Sequence, residues 1–206
     1  MESHWAAEHL QTIRTLMERS AVYRRALAPI MLFAGSAGVI AAAIGLGFRL
    51  ESSRAFGGLW LGTAAFVVAG ALLIARRQSL KDSEPFWSPP TRRVTQALLP
   101  PLTAGMCLGI LFTVMDADSG YNHLLAFLWL LFYGCALHSA GFFMPRGVKW
   151  FGWLFIASAA GIMIFLAVTD SDIPFSTHWL MGFFFGALHL AYGVYLYLTE
   201  KGKNAA

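Results

Sequence analysis

Six apolar stretches, at approximately 27–48, 55–75, 95–115, 123–144, 149–169 and 179–199, alternate with charged or turn-rich breaks. The interior of each is free of Asp, Glu, Lys and Arg. Each is long enough to cross about 30 Å of hydrocarbon at roughly 1.5 Å per helical residue. The first apolar run follows an arginine-rich start and exceeds the length of a signal-peptide core, so it reads as a retained helix. The pattern predicts an all-α integral membrane protein with six transmembrane helices arranged as three sequential hairpins. Residues 1–26 form a cytoplasmic amphipathic arm in this reading, 27–199 the transmembrane bundle and 200–206 a cytoplasmic tail.

The composition agrees with that pattern. Of 206 residues 57% are hydrophobic and 13% charged, too apolar and too sparsely charged for a soluble domain. A secreted enzyme, a disulfide scaffold and a nucleic-acid-binding domain are thereby excluded. Charge then sets the expected orientation. Arg14, Arg19, Arg24 and Arg25, the 76–93 loop (Arg76, Arg77, Lys81, Arg92, Arg93), Arg146, Lys149, Lys201 and Lys203 fall on one side, and only Arg49 and Arg54 on the other. Positively charged loops stay cytoplasmic, so both termini are placed there. The expected partner of that face is a bilayer with anionic headgroups rather than nucleic acid. The expected setting is a bacterial inner (plasma) membrane, with Trp150, Trp153 and Trp179 as interfacial anchors.

In the arm, Ala6, Leu10, Ile13, Met17 and Ala21 recur at three- and four-residue steps while Glu8, Gln11, Thr12, Thr15, Glu18 and Arg19 lie off that stripe. This predicts an amphipathic helix that rests in the interface, packs under the bundle or docks a cytoplasmic protein partner. Ser88 and Pro89 predict an N-cap and first-turn proline for the third span. Pro100 and Pro101 predict a kink within it. The stretches 102–141 and 155–193 share, in order, a small-residue pair, an apolar run, Asp-x-Asp, a polar turn, a His, an aromatic run and Ala-Leu-His. They read as repeated hairpins in the same orientation, although compositional convergence explains them equally well.

The ionisable residues expected within the hydrocarbon are His138 and His189, with Cys107 and Cys135 as free thiols beside them. Each His shares a helical stripe with glycines (Gly134, His138, Gly141; Gly182, Gly186, His189, Gly193), so both rings are expected inside the bundle. A neutral, hydrogen-bonded structural His is the favoured reading. Haem ligated by His138 and His189 is the sharper alternative, opposed by an expected depth offset of about 7 Å between them. The outer loops offer Asp116, Asp118 and His123, mirrored by Asp170, Asp172 and His178, as ligands for zinc or another divalent metal. Turn formation competes with that reading, with Asn122 and Ser176 or Thr177 as helix caps. No HExxH, phosphate loop, Gly-x-Ser-x-Gly or CxxC occurs. Three functions remain: a non-enzymatic protein that senses or scaffolds through its arm and basic loops, a haem- or metal-binding redox subunit, and a small transporter of a neutral or lipidic solute. No span interior offers a carboxylate for ion coupling, which weakens the last. Gly58-x3-Gly62 and Gly182-x3-Gly186 admit homo-oligomerisation or internal packing alike.

Overall fold

The computed structural model describes residues 21–115, 119–169 and 173–204, and its regular structure there is entirely helical. The helices are α1 (Ala21–Gly47), α2 (Ser53–Lys81), α3 (Pro89–Val114), α4 (Asn122–Ala140) and α5 (Arg146–Thr169). The last, α6, runs through Thr177–Met181, a π-helical turn Gly182–Ala187 and Leu188–Asn204. Six segments are long and apolar enough to cross a membrane: Ala26–Gly47, Ser53–Lys81, Pro89–Val114, Asn122–Ala140, Gly147–Thr169 and Thr177–Thr199. The chain is a multi-pass, all-helical membrane protein.

Three sequence expectations shift in detail. α2 continues to Lys81 because Arg76, Arg77, Gln78, Leu80 and Lys81 are sound helix formers that need no apolar cover beyond the hydrocarbon. α4 stops at Ala140, where Gly141 caps it and Pro145 follows four residues on. Pro100 and Pro101 both lie within α3, as the sequence places them. The helix starts as expected, with Ser88 at the N-cap, but the Ser88 hydroxyl makes no capping bond. Pro90 removes the amide at the second helical position, and Ser88 Oγ pairs instead with Thr91 Oγ1 at 2.9 Å.

Glycine governs the closest helix contacts. A Cβ on Gly35 would stand 2.6 Å from the Leu190 amide nitrogen, and one on Gly186 2.9 Å from the Val39 nitrogen. Gly38 lies against the Phe185 carbonyl, and Gly193 faces Leu32. Positions rise along α1 as they fall along α6, so these helices pack antiparallel, backbone to backbone. α4 and α5 meet in the same way, through Gly134 against Gly152 and Ile156, and Gly141 against Lys149. Small residues permit such approach where apolar side chains gain nothing by leaving lipid for one another. α5 and α6 meet through larger groups: Phe151 stacks on Tyr192 at 4.6 Å, and Phe155 lies edge-on to Phe184 at 5.5 Å. α2 and α3 bury little of their apolar surface and stand at the periphery. The core is built around Phe56, Leu125, Leu130 and Phe155, all at most 1% exposed.

Candidate functional site

Ser79 and Ser88 are buried beside the α2–α3 loop, and the other buried polar groups among the described residues collect at two places. The first lies where the 48–52 turn meets α2, α4 and α6. Arg49 adopts a left-handed conformation (φ 51°), and the Leu50 amide returns to the Gly45 carbonyl at 2.9 Å, ending α1. That reversal brings the Leu50 and Glu51 carbonyls inward. His178, fully buried at the start of α6, has Nε2 3.1 Å from the Leu50 oxygen and Nδ1 3.1 Å from Trp60 Nε1. An indole N–H can only donate, so Nδ1 is the acceptor and the proton of the neutral ring resides on Nε2, facing Leu50. The ring packs 5.1 Å from Phe56 and lies nearly parallel to Trp60. Gly45 of α1 lies directly against it, where a Cβ would overlap the imidazole.

Beside His178, the Asn122 amide donates to the Glu51 carbonyl at 2.6 Å and accepts from Ser53 Oγ at 3.1 Å. Asn122 is therefore not the cap of α4; Tyr121 precedes that helix without a side-chain capping bond. The amide is spent on the turn because an unpaired carbonyl buried there would be costly. Ser176 does cap α6, accepting from the His178 amide at 3.2 Å.

The second place is deeper. His189 is 1% exposed; Nδ1 lies 2.9 Å from the Phe184 carbonyl and Nε2 2.7 Å from Tyr133 OH. A carbonyl only accepts, so Nδ1 carries the proton, and Nε2 of the neutral ring accepts from the Tyr133 hydroxyl. The tautomer is opposite to that of His178. The π turn makes this contact: the Leu188 amide reaches back to Phe183 rather than Phe184, and the Phe184 carbonyl receives the imidazole. Phe151, Phe155 and Phe185 enclose the ring at 5.1–6.1 Å.

His138 is placed differently. It is half-buried between Phe142 and Trp153, each edge-on at 5.4 and 5.2 Å, and its buried Nδ1 has no hydrogen-bond partner. The two histidines of the haem reading thus have different neighbours, His138 on the Trp153 side of α5 and His189 among Tyr133, Phe151 and Phe155. His123 and His178, mirrored in the repeat, also differ: His123 Nε2 meets the Phe175 carbonyl at 3.1 Å, while His178 is enclosed. Asp116, Asp118, Asp170 and Asp172 lie outside the described residues, as does the arm over 1–20. Among the described residues, no three His, Cys, Asp or Glu side chains converge as a metal site. Cys107 and Cys135 are free.

Trp60, Trp129 and Tyr133 were not singled out by the sequence, although buried indole N–H and phenol O–H groups generally find partners. Trp129 donates to the Gly105 carbonyl at 2.8 Å, binding α4 to α3. No family model, curated protein or solved structure matches this chain.

Proposed function

We propose that this protein is a non-enzymatic membrane scaffold or sensor, working through its cytoplasmic arm (1–26) and basic loops, with the bundle as a rigid support. The orientation belongs to the proposal: three hairpins in series, both termini cytoplasmic, in a bacterial inner membrane with anionic headgroups on the cytoplasmic side. One observation carries it. His178 and His189, the fully buried histidines, spend both ring nitrogens on protein partners and so act as ties between helices. The redox alternative draws instead on the unpartnered Nδ1 of His138.

Orientation is tested by single-cysteine labelling in a Cys107→Ser/Cys135→Ser background. Cysteines near Asp118 and Asp172 are expected to react from outside the cell, and those near Lys81 and Lys203 only after permeabilisation. External labelling near Lys81 would reverse the topology.

The arm is tested by substitution. Ile13→Asp and Met17→Asp, on the apolar stripe, are expected to abolish capture of a cytoplasmic partner or contact with the membrane, read by cross-linking in cells. Thr12→Asp and Thr15→Asp are expected to be mild. Equal effects at all four positions would remove the amphipathic helix from the account.

A further inference from the structure

We propose that this protein forms a homodimer through the lipid-facing side of α3, on which Gln96, Thr103 and Cys107 pair with their own copies across a twofold axis. At about 100° per residue, Gln96, Pro100, Thr103, Cys107 and Ile110 fall within roughly 40° of one line along the helix. All five are exposed, whereas Val94, Gly105 and Gly109, the buried residues of α3, lie on the opposite side. α3 therefore meets its own bundle through Gly105 and Gly109, against Trp129 of α4, and turns its polar stripe to lipid.

Hydrocarbon offers such groups no partner, and polar side chains within a span almost always face protein. Val94 to Val114 covers about 31 Å of helix, so Thr103 stands close to the bilayer centre, with Gln96 nearer one boundary and Cys107 beyond the centre. Neither Gln96 nor Thr103 forms a side-chain hydrogen bond with a described residue. Thr63 of α2 and Thr113 of α3 instead return their hydroxyls to carbonyls four residues back, Leu59 at 2.8 Å and Gly109 at 2.7 Å. The stripe also carries a spare acceptor: Pro100 has no N–H, so the Gln96 carbonyl lacks its usual helical donor.

These groups are self-complementary, which selects a second copy as the occupant. An amide and a hydroxyl each donate and accept, so Gln96 and Thr103 are satisfied by facing their own kind. Two copies inserted in the same orientation, related by a twofold axis along the membrane normal, bring equal depths together. α3 then lies parallel to its copy, with Gln96, Thr103 and Cys107 each against itself. Leu99, Met106 and Val114, all at least half exposed on this side, supply apolar contact around the pairs. Arg92, at the end of the stripe, lies outside the hydrocarbon, where water and salt screen it from its copy.

The test uses the full-length protein in the membranes that express it. Cys135→Ser leaves Cys107 as the single thiol of the chain. Oxidation with copper phenanthroline is expected to convert most of this variant to a disulfide-linked species of twice the chain mass, and none of Cys107→Ser. In a Cys107→Ser/Cys135→Ser background, Thr103→Cys and Ile110→Cys are expected to cross-link. Leu102→Cys and Leu108→Cys, each about a third of a turn off the stripe, are expected not to. In detergent, light scattering is expected to show the dimer weakened by about tenfold in Gln96→Leu/Thr103→Val and unchanged in Thr63→Val, whose hydroxyl is bonded on its own helix. Absence of a Cys107 cross-link, equal cross-linking at positions 102 and 103, or an adduct of Cys107 with a different protein would overturn the dimer. Undiminished association of Gln96→Leu/Thr103→Val would overturn the polar pairing. Oxidation of the native protein, with the linked cysteine located by peptide mass, decides the matter even if a variant does not fold. None of these readouts depends on the arm or on which face is cytoplasmic, so the dimer and the scaffold reading fail separately.

Discussion

His178→Ala and His189→Ala are each expected to lower the stability of the folded bundle by about 2–4 kcal/mol. Both side chains are at most 1% exposed, so truncation leaves a cavity where an aromatic-sized ring stood. Each also strands two polar groups: Trp60 Nε1 and the Leu50 carbonyl at His178, Tyr133 OH and the Phe184 carbonyl at His189. A hydrogen bond within a bilayer contributes roughly 0.6 kcal/mol, with a ceiling near 1.7, so cavity and bonds contribute comparably. Trp60→Phe removes one bond with little loss of volume and is expected to cost about 1 kcal/mol. His138→Ala, at a half-buried ring whose Nδ1 has no partner, is expected to cost least of the three histidines. Reversible unfolding in mixed micelles, or thermal melting of the purified protein, measures the order. An order with His138 first would contradict the placement of these rings.

Glycine substitutions are expected to change sign between the two sides of the molecule. A methyl group on Gly35 or Gly38 meets main-chain atoms of Leu190 and Phe185, which cannot rotate aside. Gly35→Ala and Gly38→Ala are each expected to destabilise by about 1–3 kcal/mol, through separation of α1 and α6. Gly58 and Gly62 on α2 have open space where a Cβ would stand. Gly58→Ala and Gly62→Ala are expected to be neutral or to stabilise by about 0.5–1 kcal/mol, since alanine loses less chain entropy on forming helix. Thermal melting of the four single variants separates the two pairs. Destabilisation at Gly58 or Gly62 would show that α2 packs against another chain through that face.

The spans were legible because a membrane helix must satisfy its backbone internally and present apolar side chains throughout, leaving a long uncharged run in the sequence. Their ends were less so: Leu80 is the single apolar residue in Arg76–Lys81, too little to mark helix, and the helix runs on through those residues. The glycine stripes marked contact faces but not which neighbour each residue meets. On α6, Gly186 and Gly193 face Val39 and Leu32 of α1, while His189, between them in sequence, reaches Tyr133 on α4 and Phe151 on α5. On α4 the same motif leaves His138 against Trp153, itself 46% exposed. Identical Ala-Leu-His triplets therefore end in unlike surroundings. The staple of Ser53, Asn122 and Glu51 joins positions about 70 residues apart and uses a main-chain carbonyl, which no side-chain pattern encodes.

The central claim, that the buried histidines tie helices together, is tested most directly at His189. Melting temperature and bound haem and metal content are measured on the same purified preparations of the native protein, His189→Ala and His189→Gln. The account predicts a lowered melting temperature for His189→Ala, partial recovery for His189→Gln, and identical haem and metal content in all three. Unchanged melting with loss of a bound haem or metal in both variants would contradict it.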